Sequence, residues 1–230
     1  MARGEDKMKA MILAAGLGSR MRPLTDHTPK PLLEVGGIPL IVWHLEKLAH
    51  YGFKEVVINI AHLGYMIPEA LGDGSEWGLK ITYSDEQEEG GLESAGGIVK
   101  AMPHLKDSNP FLVVNGDVWT DYDFEASLKL EEGILAHLVL VPNPEHNPKG
   151  NFAIEESKAI DRPEYTFSGI GYYSPKLFEG VAYGKSALAP LLREAMREGK
   201  VTAELYEGEW YDIGTLQRLE MLNSMLFNSY

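Results

Sequence analysis

The chain contains no cysteine, which removes disulfide frameworks and thiolate metal sites from consideration. No apolar run approaches the roughly 20 residues needed to span a bilayer, and no signal-peptide pattern precedes the first apolar segment. Both absences point to a cytoplasmic protein that works away from membranes. Positive charge is also scarce: 21 Lys and Arg face 34 Asp and Glu, a formal net charge of −13, with a pI near 5.0. A nucleic-acid partner or an anionic lipid surface calls for the opposite balance. The seven histidines show no metal spacing, and His44 and His50, on one expected helix, do not share a face. No internal repeat, low-complexity tract or domain linker interrupts the chain.

What is present suits a globular α/β protein. With 44% hydrophobic residues in a length of 230, the chain can bury a sizeable core. A single domain over residues 9–230 is expected, behind a polar, flexible leader at 1–8. The first half alternates: strand at 9–15, helix at 39–51 stopped by Gly52, strand at 55–60, helix at 64–71, strand at 79–84, helix at 98–102 and strand at 111–115. Such alternation implies parallel strands joined by right-handed helical crossovers. The second half is mixed, with strands at 135–141, 151–155 and 166–174, a helix at 186–198 and a last helix at 215–227. Leu216, Leu219, Leu222 and Leu226 make an apolar stripe on that last helix that suits core or a dimer seam, so monomer and small homo-oligomer both stay open. The Pro- and Asn-rich segment 142–148 is expected to loop over the site.

The few cations gather where the first strand ends. Ala14 and Ala15 lead into Gly16 and Gly18, which allow positive φ and close backbone approach, so that successive N–H groups can converge on an anion. Ser19, Arg20 and Arg22 follow, and Lys30 stands between Pro29 and Pro31 on a stiffened loop. This is not a P-loop, in which lysine directly follows the second glycine, nor a dinucleotide fingerprint, which needs a third glycine where this chain has Met21 and Pro23.

In an open α/β sheet, ligands bind beyond the carboxyl ends of the strands. Asn115-Gly116-Asp117 sits there, and Asp117 suits either a turn or a hard cation such as Mg²⁺. Asp212, before the glycine turn that opens the last helix, suits either the helix dipole or a cleft. Leu92-Glu-Ser-Ala-Gly-Gly97 opens a helix whose exposed N–H groups can receive a base edge or a sugar hydroxyl. Gln87, Glu88 and Glu89 read as a solvated loop. The small residues of 166–171 allow either a ligand or tight packing.

Taken together, residues 13–32, with L-A-A-G-L-G-S-R-M-R-P-L-T followed by P-K-P, resemble the signature of the sugar-1-phosphate nucleotidyltransferases. The Gly-Asp after the central strand and Trp210-Tyr-Asp-Ile-Gly-Thr215 are similar to two further hallmarks of that family. The resemblance implies a Rossmann-like, GT-A-like α/β fold with a mixed, mostly parallel central sheet flanked by helices. It implies nucleotide binding by Ala14, Ala15, Gly16, Gly18, Ser19, Arg20, Lys30 and Gly96, and sugar binding by Glu93, Gly97, Asn115 and Asn151. It also implies Mg²⁺ on Asp117 and Asp212, with Arg20, Lys30 and Asp117 catalytic. In such a reaction a sugar 1-phosphate oxygen attacks the α-phosphorus of a nucleoside triphosphate in line, and cations must offset the repulsion between two anions. No general base is needed, because the attacking phosphate is already ionised.

Residues 115–124, 136–141 and 188–192 most resemble the uridylyl-transferring branch, which implies UTP and N-acetylmuramic acid α-1-phosphate as substrates. Mannose 1-phosphate guanylyl transfer and glucose 1-phosphate thymidylyl transfer are the alternatives, and a non-catalytic sugar-nucleotide sensor is the alternative of another class. The family's Glu-Lys-Pro motif, whose lysine grips the sugar phosphate, is missing: Glu156-Ser-Lys158-Ala stands near that place. That cation is therefore unassigned, with Lys149 a weaker candidate in the loop. No hexapeptide repeat follows, so no acetyltransferase domain or trimer built on one is expected.

Overall fold

The computed structural model describes residues 7–227; the expected leader falls, for residues 1–6, outside them, while Met8 is buried. The first strand, β1 (Ala10–Leu13), alternates its faces as a pleated strand must. Ala10 and Ile12 join one apolar cluster and Met11 the other. Two short strands, β2 (Glu34–Val35) and β3 (Ile38–Pro39), make a hairpin turned by Gly36 and Gly37, both at positive φ. The helix α1 (Leu40–His50) follows and buries Ile41, Leu45 and Leu48 at helical spacing. Then come β4 (Glu55–Ile60), α2 (Met66–Leu71), β5 (Lys80–Asp85), α3 (Glu93–Leu105) and β6 (Phe111–Asn115).

The second half supplies β7 (Val118–Thr120), β8 (Ala136–Val141), β9 (Phe152–Glu155), β10 (Lys158–Tyr173), α4 (Leu188–Arg197), β11 (Val201–Leu205), β12 (Trp210–Asp212) and α5 (Leu216–Phe227). One eight-stranded sheet has the order β11-β8-β10-β6-β1-β4-β5, with β9 paired to β10. β5, β4, β1 and β6 are mutually parallel; β10 is antiparallel to β6, β8 and β9, so it alone runs against the rest. This is the mixed, mostly parallel sheet flanked by helices that the sequence implies.

The clusters explain the layers. α1 and α2 cover one face through Ile41, Leu45 and Ile67, and α3 and α4 cover the other through Ile98, Leu105, Leu192 and Met196. A third cluster joins Met21, Val35, Leu40 and Ile213 to Leu219 and Leu222 of α5. The leucine stripe of the last helix is thus spent largely inside the chain.

Several elements differ from expectation. α3 starts at Glu93 rather than 98, taking both glycines into the helix. β10 has 16 residues where 166–174 is expected, because Lys158 to Tyr165 extends it through a hairpin with β9. The turn of that hairpin is Glu156-Ser157, both at positive φ, a geometry usually marked by Asn-Gly. β2, β3, β7, β11 and β12 are additional short strands.

Candidate active site

Register brings Leu13, Asn59 and Asn115 side by side at the carboxyl ends of β1, β4 and β6. A cavity of about 440 Å³ opens there. One part of its wall is Leu13 to Gly18, Lys30 and Asn115 to Asp117; a second part is Gly90 to Ser94 with Lys185. Gly18 takes the left-handed conformation, φ 65°, and its carbonyl accepts from Thr25 Oγ1 at 2.7 Å, which fixes the turn. Lys30 begins a single helical turn between its prolines, and its Nζ lies 3.2 Å from Asp117 Oδ2. That ammonium is largely buried, at 13% exposure, whereas Asp117 is more open at 39%.

A buried polar chain ties the two walls together. The Ala14 amide donates to Asn59 Oδ1 at 2.6 Å, Asn59 Nδ2 donates to Glu86 Oε2 at 2.8 Å, and the Leu92 amide donates to Glu86 Oε1 at 2.8 Å. Burial pushes the fully enclosed Glu86 carboxyl above its usual range, while these two donors pull it back. Asn59 and Glu86 carried no motif in the sequence. Their signal is long-range, a polar pair inside apolar strands.

Asp212 reaches the same end of the sheet because β12 pairs with β7. Asp212 lies opposite Val118, and the Ile213 amide donates to the Asp117 carbonyl at 2.7 Å. Asp117, in the turn just before β7, and Asp212, at the end of β12, are therefore brought to adjacent positions. Asp212 Oδ2 lies 2.5 Å from His146 Nε2, and Oδ1 lies 2.5 Å from Arg218 Nη1. Even so, Oδ1 is buried without a hydrogen bond of acceptable geometry. His146 belongs to the 142–148 segment, so that loop does close over Asp212. Neither His146 nor Arg218 was singled out in the sequence, since their partner lies elsewhere in the chain or on an unmarked helix face.

The other expected residues divide. Ala14, Ala15, Gly16, Gly18, Lys30, Glu93, Asn115 and Asp117 line the cavity. Ser19 and Arg20 sit in the exposed turn beside it, and Arg22 is engaged by Asp26 at 2.6 Å. Arg20 approaches the Asp212 turn: a Cβ on Gly214 would meet Arg20 Nη2 at 3.3 Å. Gly96 and Gly97 are buried rather than open to the cavity. A Cβ on Gly97 would meet Asn59 Nδ2 and Glu86 Oε2, each at 2.9 Å, and one on Gly96 would overlap the Gly184 carbonyl. Asn151 lies outside the cavity wall; its Oδ1 accepts from the Phe167 amide at 2.9 Å and from Asn147 Nδ2 at 3.2 Å. Lys158 Nζ donates to the Gly199 carbonyl at 2.8 Å, away from the cavity. Glu89 is not simply solvated, because it binds Lys100 at 2.6 Å and accepts from the Tyr183 hydroxyl.

Two carboxylates at the end of the cavity's strands fit a hard divalent cation, which prefers few protein oxygens and completes its shell from ligand and water. Asp117, the more open of the two, can offer an oxygen directly, and Asp212 would do so on giving up its contacts with Arg218 and His146. Among the described residues no cluster of three or more His, Cys, Asp or Glu is arranged to hold a metal by itself. No described helix is long and apolar enough to cross a membrane.

Known proteins share this architecture. The chain is 54% identical over 224 residues to N-acetylmuramate alpha-1-phosphate uridylyltransferase of Neisseria meningitidis serogroup B, covering 93% of this chain and 96% of that one. It is 28% identical to the mannose-1-phosphate guanylyltransferase catalytic subunit beta of Xenopus tropicalis, over 90% of this chain but only 61% of that longer protein. A crystal structure from Bacillus anthracis, assigned as a glucose-1-phosphate thymidylyltransferase in complex with sucrose, superposes with a TM-score of 0.82 at 26% identity, covering 95% and 94% of the two chains. The model of the nucleotidyl transferase family matches residues 9–228, and the chain belongs to that family of enzymes.

Proposed function

We propose that this enzyme transfers a uridylyl group from UTP to N-acetylmuramic acid α-1-phosphate in the cytoplasm, giving UDP-N-acetylmuramic acid and pyrophosphate. The observation that carries the reaction is the buried Lys30 ammonium, 3.2 Å from Asp117, at the foot of the glycine turn. The likeness to the Neisseria enzyme over nearly the full length of both chains supports the choice of substrates.

The glycine turn from Ala14 to Ser19 would receive the triphosphate on backbone amides, with Arg20 on its outer oxygens. Lys30 would stand by the α-phosphate and offset the charge that grows there as the acceptor oxygen approaches. Asn115 and Glu93 would orient sugar hydroxyls, and Gly96 and Gly97 let the start of α3 pack against the Gly184 carbonyl and the Asn59–Glu86 pair that back the cavity. Enzymes of this family generally use a divalent metal; we assign Mg²⁺, held by Asp117 and Asp212, and when bound it supplies charge neutralisation to the phosphate oxygens.

The test is pyrophosphate release with Mg²⁺, pairing UTP, GTP, dTTP and CTP with the 1-phosphates of N-acetylmuramic acid, glucose and mannose. A maximum at UTP with the muramic acid phosphate is expected. A maximum at another pair would replace the substrates and keep the chemistry, and no release anywhere would favour a sensor.

A further inference from the structure

The acceptor in this reading carries two separate anions. Its phosphate must lie at the reacting centre, beside Lys30 and Asp117, whereas the lactyl carboxylate on the sugar ring lies away from it. A protein of net charge −13 needs a dedicated cation to accept that second anion. Among the described residues two cationic side chains line the cavity, Lys30 and Lys185, and Lys30 is already engaged by Asp117.

Lys185, an exposed residue of the segment joining β10 to α4, also lines the cavity. Its backbone is clamped on both sides. The Tyr183 hydroxyl donates to Glu89, the Gly184 carbonyl packs onto Gly96, and Ser186 exchanges hydrogen bonds with Leu92 at 3.1 Å and Gly96 at 3.0 Å. The Leu188 amide donates to Ser94 Oγ at 2.9 Å. The ammonium itself has no hydrogen-bond or ion-pair partner among the described residues. The neighbouring Lys100 is consumed by Glu89 and the Asp85 carbonyl. A hydrogen-bonded strap carrying one unspent cation at the cavity suits recognition of a fixed carboxylate.

We propose that Lys185 is a specificity-determining residue that binds the lactyl carboxylate of the acceptor, an inference that rests on the substrate reading above. It distinguishes N-acetylmuramic acid α-1-phosphate from N-acetylglucosamine α-1-phosphate, the same sugar without the lactyl ether.

The experiment compares the wild-type enzyme, Lys185→Met and Lys185→Arg with both sugar phosphates at saturating UTP. In Lys185→Met the ratio of kcat/KM for the muramic over the glucosamine substrate should fall by about 30-fold, as the loss of a charged hydrogen bond implies. The fall should lie in KM for the muramic substrate, and Lys185→Arg should recover most of it. An unchanged ratio overturns the proposal, as does an equal loss with both sugars, which would indicate a phosphate contact. A wild-type enzyme inactive on the muramic substrate overturns the underlying reading and this proposal together, whereas an active wild type with an unaltered Lys185→Met ratio overturns this proposal alone.

Discussion

Lys30 has a burden that its neighbours do not share, because its ammonium is largely buried and its one anionic partner, Asp117, is also a candidate metal ligand. Replacing it with alanine removes charge from the place where transition-state charge develops, and losses of this kind are about 100- to 1,000-fold in turnover. We expect Lys30→Ala and Asp212→Ala to lose at least about that factor while keeping the wild-type circular dichroism; near-normal turnover in either would remove that residue from the mechanism. Gly96 is constrained differently. An added methyl at this position overlaps the Gly184 carbonyl, so Gly96→Ala must displace the strap that carries Lys185. Overpacking of this kind costs about 1–3 kcal/mol, or a drop of about 2–4 °C in Tm per kcal/mol for a chain of this size. A melting curve superimposable on wild type would show that the strap yields freely. The residues of the glycine turn were legible in the sequence because their spacing is local. Asn59, Glu86, His146 and Lys185 were not, because each is an ordinary residue type whose partner is supplied only by the fold.

At the scale of elements, periodicity and punctuation marked the parallel half well. β4 and β6 have the bounds expected of them, since apolar runs between polar or glycine breaks leave little choice. The hairpin of β9 and β10 was obscured because Glu156 and Ser157 occupy positive φ without the usual glycine or asparagine. α3 was shortened in expectation because two glycines weaken helix propensity; packing decides otherwise, as the space of each missing side chain is filled by a neighbour. α5 makes a prediction at this scale. Leu219 and Leu222 bury against Met21, Val35 and Leu40, and Asn223 Oδ1 accepts from the Gly36 amide at 2.8 Å. Two buried leucines are worth about 3–6 kcal/mol, so a chain ending at Gly214 should unfold at markedly lower urea. An unchanged midpoint would mean that α5 is dispensable to the fold.

Across the whole molecule, one buried cation gives stability a signature on the alkaline side. Lys47 on α1 donates to the carbonyls of Thr120 and Tyr122 and lies 4.6 Å from the Phe124 ring centre. Burial lowers its pKa to about 8, with Asp121 and Asp123 opposing the shift. The unfolded chain holds this proton up to about pH 10.4. Between these values the unfolded state binds more protons, so this group makes unfolding harder as pH rises from about 8 towards 10. Lys47→Met should flatten that rise, measured as urea midpoints across the window; an identical slope in the two proteins would show that Lys47 titrates normally.

The pairing of β12 with β7 also sets an order of events during synthesis. The glycine turn, Lys30 and Asp117 leave the ribosome long before Asp212, which reaches them only when β12 closes onto Val118–Thr120 and α5 seals the Met21 cluster. A nascent chain still lacking these last elements holds one of the two aspartates of the candidate site and an uncovered apolar surface. Such a chain depends on its own late-arriving segment to cover the apolar surface of Met21, Val35 and Leu40.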